Sequence, residues 1–507
     1  MSDKIISAEK AVKLIKDEDF VAIQGSGGGV GEPTLILNRL GARFRKEGSP
    51  RSLTLCHATG LGDKNEIGTD YLALKGLVKR DIAGHLGMAP KMAKMILDNE
   101  IEAYNFPQGV ISHMYGAVAG KKPGVITKVG LCTYVDPRLE GGKMNSTTKE
   151  DLVKIIQIDN QEWLFFPRFH IDVALVRGTT ADTKGNITFE EEGAFLEGIS
   201  IAQAAKNCGG IVIAQVKYLA REGTLSAQNV KIPGIYVDFI VVDANQKQTC
   251  LDFYNPAFSG QVKIPLETIQ PIPLDIKKVI AKRAYREIFN GAIVNLGVGI
   301  PSGIAAVAIE EGRVDDFTLT IEQGSIGGIP AGGVIFGVSY NPTAIIEEDA
   351  QFSFYDGGGL DLGFLGMAEA DQEGNVNSSK VGNMLSGCGG FINISQNTKK
   401  VVFCGTFTAK GLECRVAEGQ LKILSEGTKK KFVKHVKQVT FSGKYSQSNN
   451  QQVLYITERA VFSLEQNGVK LIEIAPGIDL EKDIISQMDF RPIIPGDIKL
   501  MDHEIFK

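Results

Sequence analysis

Two stretches of this chain share one local plan, and that repetition limits the folds open to it. Phe20-Val21-Ala22-Ile23 is a short apolar run that ends in Gly25-Ser26-Gly27-Gly28-Gly29. Ala292-Ile293-Val294-Asn295-Leu296 is a second such run, ending in Gly297-Val298-Gly299-Ile300-Pro301. Each follows a segment of helical character: Ala8 to Ile15, with Ser7 placed as an N-cap, and Leu274 to Phe289, rich in Lys, Arg and Ala. A further helical segment follows each glycine turn. Helix, buried strand, glycine turn and helix are the parts of an open α/β sheet. The echo continues downstream. Val173 to Ile187 and Leu360 to Val376 are each an apolar strand that runs into Ala-Asp-x-x-Gly-Asn-(Ile/Val), a hairpin signal. Gly209 to Ala214 is matched in turn by Lys399 to Cys404.

A chain of 507 residues exceeds what one hydrophobic core normally serves. The expected fold is therefore α/β, with two related open α/β domains on one chain. The first spans 1–263 and the second 274–507. The Pro-spaced stretch 264–273 is expected to be an extended linker. The first copy carries an extra segment over roughly residues 60–150, and an insertion of that length is often functional.

Composition narrows the class. Hydrophobic residues make up 43% of the chain and charged residues 22%, as in ordinary globular protein. A formal net charge of −4 argues against a general nucleic-acid role. The cysteines at 56, 132, 208, 250, 388, 404 and 414 form no C-x-x-C pair, which disfavours a zinc ribbon or a thioredoxin-type site. Their odd, dispersed count fits a reducing compartment. The first ten residues lack the apolar stretch of a signal peptide, and no apolar run approaches bilayer length. A cytoplasmic location with no membrane partner is the expectation.

The glycine clusters invite phosphate-binding readings, which spacing rejects. The dinucleotide fingerprint needs a glycine at its sixth position, where this chain has Val30 counting from Gly25 and Ser302 counting from Gly297. Gly116 to Lys122 imitates a Walker A loop, but it is one residue short and Lys122 replaces the Ser or Thr. Three clusters remain: Gly357-Gly358-Gly359, Gly387-Cys388-Gly389-Gly390, and Gly327-Gly328. Each reads equally as a tight turn or as part of a ligand-binding sheet edge. His57, His85 and His113 lack metal-ligand spacing and are expected to be structural, so no metal is expected. The basic run Lys429 to Lys437 reads as a solvated face, with attraction of a phosphorylated ligand as its functional alternative. No G-x-S-x-G nucleophile motif is present.

Glu322 is the residue that points most directly to chemistry. Thr318-Leu319-Thr320-Ile321 reads as a buried strand, and Gly324-Ser325-Ile326-Gly327-Gly328 breaks it at once. A carboxylate at such a junction either caps the turn or serves as a covalent nucleophile. Gln108 follows Pro107 and precedes Gly109, which makes it either a polar loop residue or a fixed hydrogen-bond donor.

Taken together, these motifs resemble class I coenzyme A transferases of the acetate/propionate type. The resemblance rests on Glu322-Gln323-Gly324, Val294 to Pro301, Gly358-Gly359-Leu360-Asp361-Leu362, Ser386 to Phe391, and Asn105-Phe106-Pro107-Gln108-Gly109. It covers nearly the whole chain, with both halves fused that other members carry as separate subunits. It implies that Glu322 is the nucleophile, that Gln108 helps hold the carbonyl oxygen, and that the backbone N–H of Gly390 completes the oxyanion hole. Gly297, Gly299, Gly358, Gly359, Gly387 and Gly389 are the implied CoA contacts, while no chemistry attaches to Gln323. The implied reaction exchanges CoA between an acyl-CoA and a short-chain carboxylate through a γ-glutamyl-CoA thioester, with no cofactor or metal beyond CoA itself. A homo-oligomer, dimer or tetramer, is also implied. An acyl-CoA hydrolase on the same architecture and a non-catalytic CoA-binding protein are the alternatives. Sugar-phosphate isomerases, which share similar folds, would need an acid/base pair that these residues do not offer.

Overall fold

The computed structural model describes residues 4–266 and 272–507. The chain forms two compact units. Unit 1 consists of Met1–Lys263, Ile321–Ser353 and Gly382–Asn393; unit 2 consists of Ile264–Thr320, Phe354–Val381 and Ile394–Lys507. The expected linker, 264–273, falls partly on 267–271, which lie outside the described residues. The division into 1–263 and 274–507 concerns the descent of the sequence and stands as a proposal, because the compact units are drawn differently.

Unit 1 is built on seven parallel strands: β1 (Phe20–Ile23), β2 (Leu53–His57), β3 (Val78–Ala83), β4 (Glu102–Asn105), β5 (Val173–Asp182), β6 (Ile211–Ala220) and β7 (Phe239–Val242). Their order is β7-β6-β5-β1-β2-β3-β4. Register is fixed at the centre, where Val21 pairs with Leu55 on one side and with Val173 on the other. Every residue of β5 is buried, as expected for a parallel strand covered on both faces. Among the helices are α1 (Thr34–Glu47), α2 (Gln108–Ala119) and α3 (Gly198–Cys208). Glycines in the left-handed region, Gly48 and Gly209, end α1 and α3.

Unit 2 repeats the plan. Its strands β8 (Ile293–Leu296), β9 (Thr318–Thr320), β10 (Leu362–Gly366), β11 (Lys400–Cys404) and β12 (Gln452–Ile456) run parallel in the order β9-β8-β10-β11-β12. This matches β2-β1-β5-β6-β7 of unit 1. The extra segment of the first copy supplies β3 and β4, which extend the sheet beyond β2. Two antiparallel strands, Ala460–Glu465 and Gly468–Ile474, follow β12.

The echoed hairpins also match bond for bond. In unit 1, Asp182 Oδ1 accepts from the N–H of Lys184 (2.9 Å) and of Asn186 (3.0 Å). In unit 2, Asp371 Oδ1 accepts from Glu373 and Asn375, both at 3.0 Å. The Asp-x-x-Gly-Asn motif thus builds the same Asx-type turn twice.

The basic run is not one solvated face. Lys429 pairs with Glu369 and Lys430 with Asp489, both at 3.1 Å, and Lys431 and Phe432 are buried. Lys434, His435 and Lys437 remain exposed. Among the described residues no helix is long and apolar enough to cross a membrane.

Candidate active site

In unit 1 the strand order reverses at β1, with β5 on one side and β2 on the other. The carboxyl edge at such a reversal is where open α/β sheets bind ligands. The loops leaving β1, β3 and β4 meet at this edge, and two later segments, 321–325 and 386–390, are fastened to them.

The glycine loop after β1 is held from below. Ser26 N–H donates to Val30 O at 2.7 Å, and Gly28 N–H to Gly62 O at 2.7 Å. Arg177, on β5, donates to Gly29 O (3.0 Å) and Glu32 O (3.2 Å). Its guanidinium is itself held by buried Glu192 at 3.1 and 3.0 Å. A two-point Arg–carboxylate contact of this kind fixes direction as well as charge.

Glu322 sits in a turn closed by Ile321 N–H to Ser325 O and by Gly324 N–H to Ile321 O, both at 3.1 Å. Its side chain is only 7% exposed. Gly324 has φ +103°, and a Cβ there would come within 2.0 Å of Ile346 O, so no other residue fits. Gln323, to which the sequence attaches no chemistry, donates from Nε2 to Ser26 Oγ at 3.2 Å. It ties the turn carrying Glu322 to the loop after β1.

The loop Ser386–Gly390 is anchored to β3 and β4. Gly389 N–H donates to Gly84 O (2.7 Å), and Leu86 N–H to Ser386 O (2.7 Å). Asn105 is the hub. Its Oδ1 accepts from Cys388 N–H at 2.8 Å and from the Tyr134 hydroxyl, while its Nδ2 donates to Ala83 O and Gly84 O at 2.6 Å each. Gln108, first residue of α2, donates from its backbone to Gly389 O at 2.9 Å. Gly390 then lies directly against Glu322: a Cβ on Gly390 would be 2.7 Å from Glu322 Cγ and 3.2 Å from its Oε1. The N–H groups of Gly389 and Phe391 are taken by Gly84 O and Cys388 O, whereas that of Gly390 meets no backbone acceptor among the described residues.

The structure therefore brings together Glu322, Gln108, Gly387, Gly389 and Gly390 in unit 1. Gly297, Gly299, Gly358 and Gly359 belong to unit 2. There Gly297 ends β8 beside β10, where its N–H donates to Phe364 O at 2.8 Å. That position is the strand-order reversal of the second sheet.

The three histidines expected to be structural each have hydrogen-bond partners. His57 is buried between Asp81 (3.1 Å) and the carbonyl of Thr59. Burial pulls its pKa down, but the Asp81 charge and these hydrogen bonds outweigh that and leave it raised. His85, half-buried, accepts from Gly87 N–H at 3.2 Å; burial pushes its pKa down to about 4, with Lys64 and His57 adding to the effect. It is neutral at pH 7. His113 lies 3.0 Å from Asp349 O and 3.1 Å from Ser353 Oγ. Among the described residues no group of three or more His, Cys, Asp or Glu is arranged to hold a metal ion.

Comparison with known proteins decides the family. The coenzyme A transferase family model matches residues 5–243. The caffeate CoA-transferase of Acetobacterium woodii is 49% identical over 99% of this chain and 97% of its own length. The acetate CoA-transferase YdiF of Escherichia coli K12 is 45% identical over 99% of this chain and 95% of its own. The crystal structure of the acyl-CoA transferase YdiF from E. coli O157:H7, a thioester complex with CoA, superposes with a TM-score of 0.95 at 44% identity, covering 100% of this chain and 96% of that one.

This chain belongs to the coenzyme A transferase family. It is a transferase enzyme, and its two-domain α/β fold is that of its solved relative. Three parts of this CoA transferase's candidate site carry no signal of their role in the sequence. Asn105 lay inside a quoted motif but carried no role, because its four partners are distant in sequence. Ser26 was one polar residue among glycines. Glu348 and Glu197 gave no signal at all, although both are fully buried. Glu348 Oε1 accepts from Gln108 Nε2 at 3.1 Å. Burial raises both carboxyls above the usual range, and their mutual repulsion raises Glu348 further.

Proposed function

We propose that this enzyme moves CoA between a short-chain acyl-CoA and a free carboxylate, with Glu322 as the covalent nucleophile. The observation that carries the reading is the close seat of Glu322 against Gly390, whose N–H meets no backbone acceptor among the described residues, with Gln108 bound to the neighbouring Gly389. The names of the relatives, acetate and caffeate CoA-transferases, and the thioester complex of YdiF support it.

In the first step a Glu322 carboxylate oxygen attacks the thioester carbonyl. The C–S bond breaks, and the products are a mixed anhydride and CoA thiolate. The thiolate then attacks the Glu322 carbonyl carbon, releasing the first carboxylate and leaving a γ-glutamyl-CoA thioester. A second carboxylate reverses both steps. No net proton is transferred, and ping-pong kinetics follow from the covalent split. Carboxylate is a weak nucleophile, so oxyanion donors must lower the barrier. The Gly390 N–H and the Gln108 amide are assigned that task, and one such donor is worth about 3 kcal/mol. Gly387 and Gly389 in unit 1, and Gly297, Gly299, Gly358 and Gly359 in unit 2, are assigned to CoA contact. A cytoplasmic homo-oligomer, dimer or tetramer, completes the proposal; the seven cysteines, none of them in a disulfide, fit a reducing compartment.

The test is intact-protein and peptide mass spectrometry after incubation with acetyl-CoA, followed by borohydride reduction. A CoA-sized adduct with reduction mapped to Glu322 is expected. Exchange without any adduct at saturating acyl-CoA would overturn the assignment. Steady thiol release with no carboxylate acceptor would identify a hydrolase instead.

A further inference from the structure

Gln108 is asked to present an N–H to a developing oxyanion, and a side-chain amide does so only if something fixes its sense and direction. In this chain one group does. Gln108 is 4% exposed, and its Nε2 donates to Glu348 Oε1 at 3.1 Å. That bond uses one of the two amide hydrogens and leaves the other for the substrate. Glu348 is itself completely buried at the start of the helix Glu348–Asp356, where its N–H donates to Leu196 O at 3.1 Å. The next residue along the chain from Leu196 is Glu197, also completely buried. The second oxygen of Glu348 has no hydrogen-bond partner within the described residues, and the Glu197 carboxyl is met only at the margin of hydrogen-bond geometry, by the backbone N–H groups of Glu197 and Ala58.

We propose that Glu348, backed by Glu197, is the positioning residue that holds the Gln108 amide with one N–H directed at the reacting carbonyl. The proposal rests on the reading of Gln108 as an oxyanion donor. Two buried carboxylates so placed do not both ionise, since like charges in a low-dielectric interior repel strongly. The groups that bear on the pair are acidic or neutral: Glu322, Asp349, Tyr115 and Cys56. A proton kept on the pair lets Glu348 accept from Gln108 without setting a second negative charge beside the Glu322 nucleophile. Glu348 thus acts through Gln108 and touches no substrate.

The experiment is a double-mutant cycle on Gln108→Ala and Glu348→Ala, with Glu348→Gln as the conservative control. The readouts are kcat, KM for acyl-CoA, and the single-turnover rate of enzyme–CoA adduct formation. Gln108→Ala is expected to lower kcat about 10²- to 10³-fold. Glu348→Ala should lower kcat at least about tenfold with little change in KM, as befits an interaction made in the transition state. The double variant should be no slower than Gln108→Ala alone, to within about twofold. Glu348→Gln keeps a carbonyl acceptor for Gln108, so it should retain most of the rate.

Losses that multiply in the double variant would overturn the inference, as would a Glu348→Gln enzyme as slow as Glu348→Ala. If Gln108→Ala is impaired and Glu348→Ala is not, the inference fails while the oxyanion reading survives. If Gln108→Ala keeps full rate, the oxyanion reading itself fails. Should Glu348→Ala not fold, Glu348→Met, close in volume and without an acceptor for the Gln108 amide, takes its place in the cycle. A Glu348→Met enzyme as fast as Glu348→Gln would overturn the proposal.

Discussion

Gly390 and Glu322 are in such close contact that a single methyl group could not be placed between them. A Cβ on Gly390 would stand 2.7 Å from Glu322 Cγ and 3.3 Å from Phe352 Cζ. Gly390 has no positive φ, so alanine there is not strained by its backbone. The conflict is with the Glu322 side chain. Gly390→Ala should therefore fold, with its melting temperature nearly intact, and yet lose about 10²-fold or more in kcat by displacing the nucleophile from its oxyanion donor. Circular dichroism beside single-turnover adduct formation checks this. Full activity in Gly390→Ala would show that the glycine serves only the turn.

Asn105 carries the other half of the site's placement. It satisfies Cys388 N–H, the Tyr134 hydroxyl and the carbonyls of Ala83 and Gly84 at once. Asn105→Ala would strand buried polar groups that each cost about 1–3 kcal/mol when unpaired. The expected result is a lower urea midpoint by roughly 3 kcal/mol of stability together with slow adduct formation, because the 386–390 loop loses its anchor. Asn105→Asp should fare little better, since a carboxylate cannot donate to two carbonyls. Normal kinetics in a destabilised Asn105→Ala enzyme would limit Asn105 to a structural role.

The doubled α/β plan was legible because it lies in local patterns: apolar runs that end in glycine, and the Asp-x-x-Gly-Asn turns that recur at Asp182 and Asp371. The buried seat of Glu322 was legible because its strand is apolar and the glycines that follow force a turn there. The distribution of 321–353 and 382–393 into unit 1 was not legible. It depends on contacts such as Gly389 to Gly84 and Gln323 to Ser26, which join residues hundreds of positions apart. Glu348 was hidden for the opposite reason to Glu322. It sits in Ile346-Glu347-Glu348-Asp349, where a run of acids suggests solvent rather than a fully buried carboxyl. The basic run from Lys429 misled in the same way, because spacing does not reveal that Glu369 and Asp489 wait for its first two lysines.

Gln323 offers a test of how firmly Glu322 must be held. The hydrogen bond from its amide to Ser26 Oγ ties the Glu322 turn to the loop after β1. Gln323→Ala keeps the Gly324 turn and removes that link, so stability should change by only about 1 kcal/mol. Small displacements of a reacting group are costly, and kcat should fall about tenfold to 10²-fold while KM for acyl-CoA stays close to wild type. Ser26→Ala should give the same kinetic phenotype, and the pair together should be no worse than either alone. Independent, multiplying effects would mean that the two residues act on different parts of the reaction.

Glu32 ties stability to pH. It is fully buried beneath the first glycine loop, accepting from Gly62 N–H at 3.0 Å and from the Thr34 hydroxyl at 3.2 Å. Burial pushes its pKa from 4.5 up to about 7, against the opposing pull of Thr34, Arg177 and Gly62. Between these values the folded protein holds a proton that the unfolded chain has released. Folding is then a proton uptake, and raising the pH opposes it. The contribution is full below about pH 4.5 and is lost as pH rises through about 7, for a ceiling of roughly 3 kcal/mol. Glu32→Gln cannot ionise and removes this term. Urea unfolding of both proteins at about pH 5 and pH 8 should show the variant gaining on wild type by up to roughly 3 kcal/mol at the higher pH. Stability curves that stay parallel would place the Glu32 proton in solvent contact and return its pKa to the ordinary carboxylate range.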